Sequence, residues 1–169
     1  MEDFKQYAAL AAKGDTEAFS RLYEMVYKDL YHIALYCLRN THDACDAVSD
    51  TVIDAFSSIG KLKSPEAFKN WILKILYSKI KRKQKEYINC NNATEEEINE
   101  SKDFNFDSAE LKEALDTLDN ESKIILSLSV LEGYSSKEIA EICGIRASTV
   151  RSRLTRIKQK LRAELFVSV

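Results

Sequence analysis

Apolar residues return at helical intervals along most of this chain. Between Glu17 and Leu38, the residues Phe19, Leu22, Tyr23, Val26, Leu30, Ile33, Ala34 and Cys37 form a single stripe, which predicts a long helix with one buried face. Gly14-Asp15 marks its start, with Asp15 as N-cap. After Asn40-Thr41 a second helix, over residues 43–58, repeats the pattern through Ala44, Ala47, Val48, Thr51, Val52, Ala55 and Phe56, and Gly60 ends it. Ser64-Pro65-Glu66 then supplies an N-cap, a proline at the first helical position and an acid in the first turn. The helix it opens turns Phe68, Ile72, Ile75, Leu76 and Ile80 inward and Lys69, Lys74, Lys81 and Lys85 outward.

Periodicity stops over residues 89–107, where Asn, Glu and Asp dominate, and a flexible linker is expected there. It resumes near Ser108 with Leu111, Ala114, Leu115 and Leu118. Asp119 or Asn120 caps the next helix, which turns Ile124, Ile125, Leu128 and Leu131 inward. Ser135 with Glu138 forms a capping box that opens a short helix carrying Ile139, Ala140 and Ile142 inward. Gly144 makes a tight turn, and Val150, Leu154, Ile157 and Leu161 are the buried stripe of the last helix. The pattern predicts an all-α chain: two small helical domains, residues 1–87 and 108–169, joined by a flexible acidic linker, residues 88–107.

Composition supports this and narrows the function. With 45% hydrophobic residues among 169, the chain can bury real cores, and its 4 Gly and 1 Pro speak against a turn-rich β fold. The formal net charge is only -2, yet residues 61–85 and 146–162 are basic while residues 95–110 are acidic. Such segregation is expected where two DNA-facing surfaces are joined by a solvated connector. Cys37, Cys45, Cys90 and Cys143 form no CxxC, and no His stands near them at zinc-finger spacing, so no metal is expected. Cys37 and Cys143, in apolar stripes, are expected to be buried free thiols, and Cys90 sits in polar sequence. Neither His32 nor His42 has a partner suited to a metal site or a nucleophile pair, and no Gly-rich phosphate loop exists, so neither an enzyme nor a cofactor is expected. The opening MEDFKQYAALAAKGD lacks the features of a signal peptide. No stretch approaches the roughly 20 apolar residues of a membrane span, and a cytoplasmic protein is expected.

The stretch Tyr134–Arg162 carries the strongest signal. Arg146, Arg151, Arg153, Arg156, Lys158, Lys160 and Arg162 lie there, with no acidic residue from Ile142 to Ala163. A capped helix, a glycine turn and a cationic second helix make a helix-turn-helix, whose second helix enters a major groove. With its inward stripe fixed, that helix presents Ser148, Thr149, Arg151, Ser152, Arg153, Thr155 and Arg156 outward. Its early residues are the expected base readers, since arginine can pair bidentately with guanine. Lys158, Lys160 and Arg162 suit phosphates, or complement the helix dipole. Lys61, Lys63, Lys69, Asn70 and Lys74 form a second basic surface. Trp71 stands among these cations, where an aromatic can stack on unpaired bases, although packing under the preceding loop accounts better for Trp71 itself. The helix over residues 43–58 turns Asp46, Ser49, Asp50, Ile53, Asp54 and Ser57 outward, a face suited either to docking a basic helical partner or to plain solvation.

In their order and spacing these segments resemble the extracytoplasmic-function (ECF) group of bacterial sigma factors of the sigma-70 family, over nearly the whole chain. The stretches concerned are GDTEAFSRLYEMVY, DACDAVSDTVIDAF, FKNWILKI and the final LDTLDNESKIILSLSVLEGYSSKEIAEICGIRASTVRSRLTRIKQKLR. The resemblance implies that residues 1–87 are sigma region 2 and residues 108–169 are region 4. It implies that Asp46, Ser49, Asp50, Ile53 and Asp54 bind core RNA polymerase at the clamp helices of its largest subunit. It further implies that the Lys61–Tyr77 surface opens and reads the minus-10 element, that Arg146–Arg156 read the minus-35 element, and that an anti-sigma factor is a partner. The chain departs from the family pattern at Ser49-Asp50 for Gln-Glu, Phe56-Ser57 for Ala-Trp, Tyr77-Ser78 for Arg-Asn, Asp119 for Pro and Arg146 for a capping Ser. Two alternatives stand beside it. One is a stand-alone helix-turn-helix regulator using its first domain to dimerise. The other is an adaptor without DNA contacts, which charge reversal at Arg151 and Arg153 would leave unharmed.

Overall fold

A computed structural model of the chain describes residues 2–90 and 109–167. Every regular element among them is helical, as the sequence predicts, and they form two compact units, within Met1–Glu95 and Glu96–Val169. A flexible linker is expected over residues 88–107. Helix continues to Cys90, and the remainder lies outside the described residues.

The first unit contains α1 (Glu2–Ala12), α2 (Thr16–Leu38), α3 (Thr41–Ser58) and α4 (Phe68–Cys90), with 3₁₀ turns at Ile59–Lys61 and Pro65–Ala67. Asp15 caps α2 as expected, accepting from the Ala18 N–H at 3.0 Å. At the other end Arg39 takes the left-handed conformation (φ 56°), its N–H bonded to the Leu35 carbonyl. Asn40 then caps α3 at once by accepting from the Asp43 N–H, so the turn between the two helices is very short. No helix is predicted ahead of Asp15, yet α1 is one. Its Ala8 and Ala11 are buried, and it packs on α2 and on both 3₁₀ turns.

Small residues let these helices approach closely. Ala44, Ala47, Val48, Thr51 and Ala55 line the buried face of α3. Leu22, Leu30 and Ile33 of α2 and Phe68, Ile72, Leu76 and Ile80 of α4 fill the space around them. Thr51 is tolerated there because its Oγ1 donates to the Ala47 carbonyl at 2.7 Å. Phe56, expected inward, is 51% exposed and rests edge-to-face on Phe19 with ring centroids 5.2 Å apart.

The second unit comprises α5 (Ala109–Asp116), α6 (Asn120–Leu126), α7 (Ser136–Cys143) and α8 (Ala147–Val167), with a π-helical turn at Ser127–Leu131 after α6. Asp119 is the N-cap of α6, accepting from the N–H and hydroxyl of Ser122, each at 2.9 Å. Leu115, Leu118 and Ile157 form a buried cluster joined by Leu126, Leu154 and Leu161, which seats α8 across α5 and α6. Leu131, expected inward, is 39% exposed, because the wider π turn swings it out of the stripe.

Charged side chains align α4 with α3. Lys79 pairs with Asp54, Arg82 with Asp50 at 2.7 Å, and Lys83 with Asp43 at 3.1 Å and Asp46 at 3.5 Å. The Tyr87 hydroxyl donates to Asp43. The exposed Arg82–Asp50 pair contributes roughly 0–1 kcal/mol, so it selects a register more than it stabilises the unit. Burial alone would raise the Asp43 carboxyl, but hydrogen bonds from Tyr87 and Lys83, with the Lys83 charge, hold it below its ordinary value. Burial would likewise lower the Lys83 ammonium, and Asp43 and Asp46 outweigh this and raise it. The depressed carboxyl stabilises the fold above its ordinary value of 3.8, and that contribution is lost as pH falls through the lower folded value. The raised ammonium contributes fully below 10.5 and is lost as pH climbs through its folded value. Urea midpoints of Asp43→Asn are therefore expected to fall less steeply than those of the wild type below pH 3.8. Parallel acid limbs in the two proteins would contradict the Asp43 pairing.

Candidate nucleic-acid and partner interfaces

Local chemistry builds the helix-turn-helix in the second unit. Ser135 accepts from the Glu138 N–H at 3.3 Å, while the Glu138 carboxylate accepts from the Ser135 N–H at 2.8 Å, completing the expected capping box. The Ser135 hydroxyl, donating at 2.7 Å, and then its N–H hold the Glu138 carboxyl below its ordinary value. Gly144 ends α7 at φ +68°, a conformation that suits a residue without Cβ, and the Ile145 N–H bonds the Ala140 carbonyl at 3.1 Å. Ile139, Ala140, Ile142 and Cys143 of α7 are buried, as are Val150 and Ile157 of α8.

The opposite side of α8 carries the predicted readers. Arg146, Ser148, Thr149, Arg151, Ser152 and Arg156 are all exposed, and no carboxylate among the described residues pairs with these three arginines. The Ser152 hydroxyl donates to the Ser148 carbonyl and the Thr155 hydroxyl to the Arg151 carbonyl, both at 3.0 Å. Their oxygens then face outward as acceptors. Arg153 differs from its neighbours. It is half-buried, and its guanidinium lies 2.8 Å from the Glu121 carboxylate and 3.8 Å from that of Asp119.

In the first unit, the second basic surface divides. Lys61 and Lys63 are exposed on the segment between α3 and α4. Asn70, Lys74 and Tyr77 share one face of α4 by helical spacing. Lys69 is turned off that face toward α1, its ammonium 5.4 Å from the centroid of the Phe4 ring. Trp71 is half-buried beside Phe68, with ring centroids 5.9 Å apart, in keeping with the packing role expected for it.

The outer face of α3 is less acidic in effect than its sequence suggests. Asp46, Asp50 and Asp54 are all engaged by cations of α4. Ser49 is exposed and Ile53 is 62% exposed, so the uncommitted part of this face is apolar and neutral. Phe56 of α3 is 51% exposed and rests on the buried Phe19 ring, and α2 carries a line of tyrosines. Tyr23 meets Tyr27 edge-on at 5.4 Å, and Tyr27 stacks with Tyr31 at 6.1 Å. Burial first, and neighbouring Tyr27 and Cys45 second, raise the phenols of Tyr23 and Tyr31. Sequence reasoning missed these aromatic contacts because Phe56 and Tyr23 fit an inward stripe equally well. A clue was available in Tyr23, Tyr27 and Tyr31, which repeat every fourth residue on a line offset from the leucines.

Cys37 and Cys143 are buried and in no disulfide, as expected, whereas Cys45 and Cys90 are exposed. Among the described residues no group of His, Cys, Asp and Glu could hold a metal ion, and no helix is long and apolar enough to cross a membrane.

Residues 22–86 match the family Sigma-70 region 2, and residues 108–161 match the family Sigma-70, region 4. RNA polymerase sigma factor SigV of Bacillus subtilis (strain 168) is 34% identical over 141 residues, covering 82% of this chain and 85% of SigV. ECF RNA polymerase sigma factor SigW of the same organism is 25% identical over 172 residues, covering 90% of this chain and 91% of SigW. Among solved structures, the sigma factor RpoE in complex with the anti-sigma factor NepR from Bartonella quintana shares the fold. Its TM-score is 0.73 at 24% identity, over 91% of this chain and 100% of RpoE. A basic helix-turn-helix in one unit, a second basic surface in the other and this level of identity converge: the chain belongs to the sigma-70 family, in its ECF group, as a transcription initiation factor that directs RNA polymerase to promoters.

Proposed function

We propose that α3 and α2 dock on core RNA polymerase, while α8 and the segment leading into α4 contact the promoter. The observation that carries this assignment is the placement of uncompensated charge. In a chain of net charge -2, Arg146 just ahead of α8 and Arg151 and Arg156 within it are exposed with no carboxylate partner among the described residues, as are Lys74, Lys81 and Lys85 of α4. Cations left unpaired on one face are what displaces counterions from a phosphate backbone. In this scheme residues 1–87 act as region 2, residues 88–107 as the tether and residues 108–169 as region 4.

Arg146, Arg151 and Arg156 contact bases and phosphates of the minus-35 element, and Ser148, Thr149 and Ser152 offer hydroxyls to base edges. Lys61, Lys63, Asn70, Lys74 and Tyr77 contact the minus-10 element, with Lys69 held at the rim by Phe4. Opening that element requires a base to leave the stack, at a cost of a few kcal/mol. Binding energy supplies it, and no catalytic residue or cofactor is needed. Each DNA surface is small, so neither holds a promoter alone. Seating both on one polymerase makes the second contact intramolecular, and weak contacts reinforce each other through effective concentration.

The clamp helices of the polymerase's largest subunit meet Ile53 and Ser49, with Asp46, Asp50 and Asp54 at the rim. Because those carboxylates already have cationic partners, the apolar centre at Ile53 and Phe56 provides most of the affinity and the acids provide orientation. RpoE of Bartonella quintana is solved with an anti-sigma factor, and a partner of that kind is proposed here too, acting in the cytoplasm where polymerase works.

Arg151→Glu is expected to lower promoter-selective transcription by about tenfold or more, since a bidentate base contact is worth about 1–3 kcal/mol. Binding to core polymerase, measured by fluorescence titration, should stay unchanged, and loss of both activities together would contradict the division of labour. Ile53→Asp is expected to weaken core binding by roughly tenfold with no change in melting temperature. Unchanged affinity for core would move the docking face off α3.

A further inference from the structure

The geometry points to Arg153 as the residue that fixes the rotational setting of α8, positioning the DNA readers instead of touching DNA itself. The inference rests on α8 being the promoter-reading helix.

A helix of 21 residues seated by an apolar stripe can roll about its own axis, because Leu, Ile and Val contacts are non-directional. Leu154 and Leu161, both within the stripe of α8, are only half-buried, so the stripe alone grips loosely. One flank of α8 supplies directional contacts. Arg153, Lys160 and Glu164 lie along that flank by helical spacing. All three reach a single short stretch, Thr117–Glu121, made of the α5–α6 junction and the first turn of α6. Arg153 reaches Glu121 at 2.8 Å and Asp119 at 3.8 Å. Lys160 donates to the Thr117 carbonyl at 2.8 Å, and the Glu164 carboxylate lies 3.1 Å from the Thr117 hydroxyl, which also has the Ala114 carbonyl within 2.7 Å.

Arg153 is the contact of this set that lies beside the readers, two residues from Arg151 and three from Arg156. Its acceptors are well anchored. Asp119 is itself the N-cap of α6, bonded to the Ser122 N–H and hydroxyl, and Glu121 is partly buried. A planar guanidinium can reach two carboxylates at a defined angle, which a lysine's point charge would not do. If α8 rolled so that Arg153 faced a groove, Glu121 would lose its partner, and Arg151, Ser152 and Thr155 would swing away from the bases. The same guanidinium cannot hold Glu121 and read DNA at once.

The test uses the full chain with core RNA polymerase. The probe is a duplex fragment enriched by the wild-type holoenzyme from a random duplex pool, alongside a scrambled duplex of equal length. Affinity for each is measured across a salt series, with melting curves run in parallel. Arg153→Glu and Glu121→Arg should each reduce the selected-to-scrambled affinity ratio by roughly tenfold, and the two combined should restore it to within about threefold of wild type. Glu121→Gln, which keeps the arginine, should also reduce the ratio without altering the salt slope, because no phosphate contact changes.

Three results would overturn the proposal. Failure of the combined swap to recover selectivity would make Arg153 a direct reader. Tighter, more salt-dependent binding by Glu121→Gln would mean that the released arginine contacts phosphate. Lower melting temperatures with an unchanged ratio would leave it a merely structural pair. Should Arg153→Glu not fold, Glu121→Gln decides alone, a reduced ratio supporting the assignment and an unchanged one refuting it. Arg151→Glu run alongside separates the two levels, because a normal ratio in that variant would remove α8 from promoter reading altogether, whatever Arg153 does.

Discussion

Burial of Phe68, Ile72, Leu76 and Ile80 along one side of α4 fixes the rest of the first unit. Once that stripe faces α2 and α3, the helical repeat leaves no freedom in where the cations go. Lys79, Arg82 and Lys83 fall beside α3, where Asp43, Asp46, Asp50 and Asp54 meet them. Lys74, Lys81 and Lys85 fall on the far side and remain exposed. One hydrophobic constraint thereby sorts the basic residues of a single helix into a structural set and an exposed set. The small side chains of α3 make the arrangement possible, since Ala44, Ala47 and Ala55 let α4 come close enough for short ion pairs.

The second unit solves the same problem differently. Its apolar stripe is thinner, and the orientation of α8 depends more on polar contacts to the α5–α6 junction and the first turn of α6. Both units keep carboxylates away from the proposed DNA faces and place them where a cation needs holding. A protein of slightly negative charge can then engage a polyanion, because binding responds to the local field of a face and not to net charge. The proposed docking surface obeys the complementary rule. Its acids are paired with cations of α4, and Ile53 and Phe56 are what remains exposed beside them.

Most of the architecture was legible in the sequence because helical periodicity and capping are local. Asp15, Asp119, the Ser135–Glu138 box and Gly144 all perform the roles their positions imply. The misses share a physical origin. Phe56 and Leu131 sit at the edges of apolar stripes, where spacing alone cannot say which side of the boundary a residue occupies; tertiary packing decides. α1 was passed over because its apolar residues are mostly alanines, which mark a buried face weakly. Arg153 looked like another groove-facing cation, since its partners Asp119 and Glu121 lie more than thirty residues away and only the folded unit brings them together. The candidate site was thus readable in its charge and composition, while the pairing that sorts structural from functional charge was not.

The most direct test of the account is reconstitution: purified full-length chain added to core RNA polymerase, followed by mapping of transcription start sites on fragmented genomic DNA. The account predicts stable binding to core and new start sites preceded by a shared motif in two spaced parts, one for each unit. Selective binding to duplex DNA by the chain alone, with no binding to core and no new start sites, would contradict it.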